Sequence, residues 1–143
     1  GRTLREGQVI SQYIADQVPA SGLAPAAGTW ERYKLQEWLS FISSELHKGF
    51  SPLFNPATPE DYKPLVKERL LQRLTWLDGE LAGKDYLMGS TFTVADAYLF
   101  TVTNWAGFVK LDIAALANLA AVRARIAARP AVQAAMKAEG LIK

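Results

Sequence analysis

Three groups of residues have the types and spacing to do chemistry. The first is Arg5-Glu6-Gly7, placed where a helical stripe begins. The free amides and dipole of a helix N-terminus suit a carboxylate, and Glu6 beside them suits an ammonium group; an amino-acid headgroup carries both. On the plainer reading Glu6 only complements the dipole and Gly7 relaxes the entry of the chain. The second group is Glu45-Leu46-His47-Lys48-Gly49-Phe50, which holds the only histidine. The ammonium of Lys48 disfavours a second positive charge on the neighbouring ring, leaving an imidazole able to accept or donate a proton near neutral pH. The plainer reading is a solvated basic helix end that offsets the dipole. One histidine and no cysteine make a poor metal-ligand set. The third group is aromatic: Phe50, Phe54, Trp105 and Phe108 either line a pocket for a hydrophobic ligand or simply fill the core. Glu60/Asp61 and the mixed charges of residues 67–73 read as caps and solvated faces, and no Gly-rich phosphate loop, Ser-His-Asp set or nucleic-acid motif is present.

These groups must be positioned by helices. The stretch Gly89-Ser90-Thr91-Phe92-Thr93-Val94-Ala95-Asp96-Ala97-Tyr98-Leu99-Phe100 contains a capping box, Thr93 with Asp96, preceded by Phe92 as a hydrophobic staple. The residues that follow are apolar on nearly every side, which predicts a buried central helix over 93–108. Elsewhere, residues 1–5 read as the second half of a hairpin, and 6–17 as a helix with an apolar stripe at Val9, Ile10, Tyr13 and Ile14. Residues 19–28, rich in Pro and Gly, read as a linker. A long helix from 29 carries Trp30, Tyr33, Leu35, Trp38, Leu39, Phe41, Ile42 and Leu46 inward, with Glu31, Arg32, Lys34, Gln36 and Glu37 wet, and ends at Gly49 and Pro52. Thr58-Pro59-Glu60-Asp61 opens a further helix to about residue 82, broken or kinked near Pro64, and Ala-rich helices follow over 116–129 and 132–138. The alanines there suggest close helix packing. The fold class is all-α, a bundle of six helices.

At 143 residues the chain can bury a sizeable core in one domain, and a net charge of +2 predicts neither a nucleic-acid groove nor a polybasic membrane surface. The absence of cysteine fits a reducing compartment. Gly1-Arg2-Thr3-Leu4 has no signal-peptide pattern and no initiator methionine, so the chain is expected to be a processed product or a piece of something longer.

Three stretches in order resemble the bacterial beta-class glutathione transferases: Leu4-Arg5-Glu6-Gly7 with Ile10-x-x-Tyr13-Ile14-Ala15-Asp16; Ser44-Glu45-Leu46-His47-Lys48-Gly49-Phe50; and the 92–100 capping motif. Trp38, Trp105 and the ending Ala138-Glu139-Gly140-Leu141 also fit. The resemblance implies a glutathione transferase C-terminal-like helical domain over 29–143, a linker at 19–28, and a remnant strand and helix of a thioredoxin-like domain at 1–18. It implies an enzyme that conjugates the glutathione thiolate to small hydrophobic electrophiles, a detoxification chemistry, in the cytoplasm. Glutathione would be the co-substrate, with no metal, and a homodimer would complete the site. Glu6, Gly7, Ser40 and Glu45 would serve glutathione, His47 and Lys48 would border its thiol, and Phe50, Trp105 and Phe108 would line the electrophile site. Two positions depart from the family pattern. Many relatives carry a serine where Gly7 stands, and often an asparagine where Ser40 stands. The family's thioredoxin-like domain also supplies a cysteine and a cis-proline that 1–18 do not include, so the chain alone is expected to be weak or inactive. The alternatives are a non-catalytic transferase-like interaction module and a hydrophobic-ligand binder built on Trp105.

Overall fold

A computed structural model describes residues 1–143. Seven α-helices and a π-helical turn make an all-helical bundle: α1 (Gly7–Gln17), α2 (Trp30–Phe41), the π turn (Ile42–His47), α3 (Lys48–Phe54), α4 (Lys63–Glu80), α5 (Val94–Phe108), α6 (Ala117–Ala127) and α7 (Pro130–Ala138). No strand forms, and the hairpin half expected at 1–5 is irregular chain, since an extended segment without a partner has nothing to bond. The only ladder contact is a bridge between Tyr86 and Gly89.

The capping box at α5 is formed. Thr93 donates its amide to Asp96 Oδ2 at 2.8 Å and its hydroxyl to the same oxygen at 3.1 Å, and the Leu87 amide donates to Oδ1 at 2.8 Å. Asp96 is wholly buried, and burial pushes its carboxyl above the ordinary range against the pull of those bonds. Phe92 packs on the Tyr86 ring and beneath the Arg129 guanidinium. From this start α5 runs against α1, α2, the π turn and α6, and Ala95, Leu99, Val102 and Ala106 are sealed in the core. The helix is not enclosed all round, however. Ala97, Thr101 and Phe108 lie on an open face, with Phe108 73% exposed.

The long helix from α2 does not stop at Gly49. It passes through the π turn, where the Lys48 amide bonds the Ser43 carbonyl, and continues to Phe54 with Pro52 inside it. Gly49 has a different duty: a Cβ there would meet Leu70 Cδ1 of α4 at 3.0 Å, so glycine permits the close approach of α3 and α4. Thr58–Asp61 forms turns instead of a first helical turn, and α4 begins at Lys63 with Pro64 in its opening turn, where a missing amide costs nothing.

The core joins Leu35, Leu39, Ile42 and Leu46 to Leu70, Leu74 and Leu77 and to Leu99. Some apolar positions expected inside are outside. Trp30 is 73% exposed and Tyr33 is exposed, as are Val9, Tyr13 and Ile14 of α1. Arg32, expected in water, is only 5% exposed. It pairs with Asp16, reaches Gln12 Oε1 at 3.4 Å and donates to the Pro25 carbonyl at 2.7 Å, which ties α1 and the following segment to α2. Residues 19–28 are pinned as well, because the Val94 amide donates to the Leu23 carbonyl at 2.9 Å. The alanines of α6 and α7 mostly face outward, so they serve helix propensity more than close packing. No helix is long and apolar enough to cross a membrane.

Two outcomes are expected. Asp96→Ala strands the buried Leu87 and Thr93 amides and should cost about 3 kcal/mol in chemical denaturation; a loss within experimental error would refute the cap's role. The Arg32 guanidinium holds the Asp16 carboxyl below its usual range. A depressed folded value means the contribution is present above the ordinary carboxylate range and is lost as pH falls through the folded value. Hydrogen-exchange protection of α1 should therefore drop in acid, and Asp16→Asn should abolish that pH dependence.

Candidate functional site

The π turn and α5 together build the most chemically equipped part of the surface. His47 ends the π turn and Tyr98 lies on the first turns of α5. His47 Nδ1 and the Tyr98 hydroxyl are 2.7 Å apart. The imidazole stands edge-on to the Trp105 ring, with centroids 4.8 Å apart and planes at 83°. Trp105 in turn meets Phe50 and Phe54 edge-on at 5.8 and 5.7 Å. His47, Ser51, Phe54, Trp105 and Phe108 line a cavity of about 510 Å³. A larger apolar cavity of about 690 Å³ adjoins it between α5 and α7, sharing Trp105 and Phe108 and adding Phe92, Val132 and Met136. An imidazole at an indole-lined opening can hydrogen-bond an acceptor while the aromatic walls hold an apolar group.

Tyr98 belongs to this cluster although the sequence presents it only as part of an apolar helix. Nothing local marks its link to His47, because the two lie on separate helices and meet only through the packing of the π turn on α5. Its phenol pKa is raised, first by burial and then by the charge of Glu6, with the Ser43 hydroxyl pulling the other way. Glu6 therefore lies on the same side of the bundle as His47. Glu6 itself is exposed at φ 67°, in left-handed backbone, and makes no side-chain cap to α1. A Cβ at Gly7 would meet nothing within 4 Å, so glycine is not sterically required there.

The other candidates divide. Phe50 is fully buried and does not line the cavity; it lies under Trp105 and sets the position of that ring. Phe54 and Phe108 are exposed at the cavity rather than core, whereas Trp105 is half-buried. Adjacent residues on a helix point to different sides. Accordingly Lys48 does not share the His47 cavity but opens onto a cleft of about 500 Å³ against α4, with Glu45, Tyr62, Arg69 and Arg73. Glu45 is paired there with Arg73 at 3.4 Å. Ser40 is exposed on α2, its carbonyl accepting from the Ser44 hydroxyl at 2.9 Å.

Residues 41–130 match the model of the glutathione S-transferase C-terminal domain. The chain is 49% identical over 141 residues to glutathione S-transferase GstA of Escherichia coli O157:H7, covering 99% of this chain and 70% of that one. A sphingomonad glutathione S-transferase solved in complex with glutathione superposes with a TM-score of 0.94 at 51% identity, over 99% of this chain and 71% of that one. A bacterial beta-class glutathione S-transferase from Sphingomonas chungbukensis gives 0.95 at 48% identity, over 99% and 71%. With half of its residues shared across nearly its whole length, and the same helical course, the chain belongs to the glutathione S-transferase family, among the bacterial beta-class enzymes.

Proposed function

We propose that this chain carries one side of a glutathione site. Glu6 and the Gly7 amide hold the γ-glutamyl end, His47 borders the thiol, and Trp105 and Phe108 receive a small hydrophobic electrophile. The observation that supports this most is the convergence at Tyr98: its hydroxyl lies 2.7 Å from His47 Nδ1, and the charge of Glu6 acts on the same phenol. That convergence supports a headgroup site and a thiol site on one side of the bundle, with the aromatic cavity beside them. A nitrogen-bound proton next to sulfur favours the thiolate over the thiol, and the thiolate is the nucleophile. It attacks an electrophilic carbon, forming a carbon–sulfur bond as the leaving group departs with the electron pair.

Phe50 contributes by fixing Trp105. Lys48 contributes positive charge from the neighbouring cleft, and Glu45 keeps Arg73 in place there. Ser40, whose hydroxyl makes no hydrogen bond within the chain, is open to a second copy, consistent with a homodimer that completes the site. Residues 1–18 we read as the end of a thioredoxin-like unit, 19–28 as its connection and 29–143 as the helical domain; the exposed apolar side chains Val9, Tyr13, Ile14 and Val18 support this division. A cytoplasmic setting agrees with a cysteine-free sequence.

Calorimetric titration of the mass-verified chain with glutathione tests the reading. Binding with a Kd on the order of 1 mM or tighter is expected. Glu6→Gln or His47→Ala should each weaken it about tenfold, the loss of one hydrogen bond involving a charged group. No binding by a folded, helical chain, or undiminished binding by both variants, would overturn the assignment. Gly7→Ser should add a hydroxyl donor at the carboxylate and tighten binding a few-fold. The same variant should leave stability unchanged or raised by up to about 0.5 kcal/mol, since serine is the better helix former and has room. Weaker binding would remove Gly7 from the site.

A further inference from the structure

A histidine ring can present either a donor or an acceptor at its free nitrogen, and which it presents is decided by the partner of the other nitrogen. At His47 that partner is Tyr98, 2.7 Å from Nδ1, while Nε2 has no protein partner and the ring borders the cavity with Ser51, Phe54, Trp105 and Phe108. The phenol has one proton to give and an oxygen that accepts. The Tyr98 hydroxyl makes no other hydrogen bond within the chain, so His47 Nδ1 is the one protein acceptor within its reach. Burial and the nearby Glu6 carboxylate both oppose ionisation of Tyr98, which keeps its proton. The direction left to that proton is His47 Nδ1.

We propose that Tyr98 is a positioning residue for His47: its hydroxyl, donating to His47 Nδ1, confines the proton of the neutral imidazole to Nε2, at the cavity. The ring then offers an N–H donor there, complementary to a thiolate or another anionic acceptor and unable to accept from a thiol. Trp105, edge-on to the ring at 4.8 Å, limits its rotation, so the two nitrogens do not exchange places. This arrangement follows from the protein alone; only its use toward the glutathione sulfur rests on the function proposed above.

The single histidine makes the test clean, because a nitrogen-labelled sample gives one pair of ring resonances. In the neutral ring, Nδ1 is expected at the shift of an unprotonated ring nitrogen and Nε2 at that of a protonated one. Tyr98→Phe removes the donor and should draw the two shifts together as the tautomers mix. A wild-type spectrum with the proton on Nδ1 would overturn the proposal without recourse to any variant. So would a Tyr98→Phe spectrum that retains wild-type shifts in a folded protein. Addition of glutathione should move Nε2 more than Nδ1. If neither moves while the free protein shows the Nε2–H form, the glutathione assignment fails and the tautomer assignment stands.

Discussion

The structure depends first on a buried carboxylate. Asp96 lies in the core at the beginning of α5, where an isolated charge would be strongly disfavoured. It is tolerated because three donors converge on it, two from Thr93 and one from Leu87. Those bonds do more than satisfy the group. They lock the loop before α5 to the helix and so set the rotation of α5 about its own axis. Tyr98, Trp105 and Phe108 ride on that rotation, and a different one would carry them away from the π turn. Burial raises the Asp96 carboxyl while the donors pull it down, so the two act on the same group in opposite directions, burial prevailing.

The second constraint is the π turn between α2 and α3. One extra residue in the helical course changes which side chains face α5 and which face α4. His47 is delivered to Tyr98 and Trp105, while Lys48 and Glu45 are delivered to the cleft with Arg73. Gly49 then lets α3 close on Leu70. A short motif that reads as one unit along the chain therefore serves two surfaces. The aromatic side is layered in the same way: Phe50 is core, Trp105 rests edge-on above it, and Phe108 is open to water. Only the upper layers are in a position to touch a ligand.

α1 shows how an ion pair can place an element whose apolar face is largely uncovered. Its exposed Val9, Tyr13 and Ile14 contribute little to holding it, whereas Asp16 and Gln12 grip a buried Arg32 that also binds the Pro25 carbonyl. A buried guanidinium needs every such partner, which makes the attachment directional in a way that greasy contact is not. The result is a defined position for the Glu6 end of α1 relative to α5, and that position is what lets Glu6 act on Tyr98.

Much of this protein was legible along the chain because the signals are local. The capping box states its own geometry over four consecutive positions, the leucines of α4 repeat with the helical period, and Pro130 marks the opening of α7. The ordered motifs also carried the family, since they record which residue types stand where. Other features were not legible, and each depends on two segments far apart in sequence. That Arg32 is inside follows from Asp16, sixteen positions earlier. That Gly49 brings helices together instead of ending one follows from Leu70. That His47 meets Tyr98 follows from the packing of the π turn on α5, fifty-one positions later in the chain. Sequence by itself determined most of the helices, the capping box at Thr93 and the family, because those rest on neighbours within a few positions. Tertiary structure alone decided which face of each helix is covered, and so which side chains meet at Tyr98, because that is settled by packing between elements and not within them.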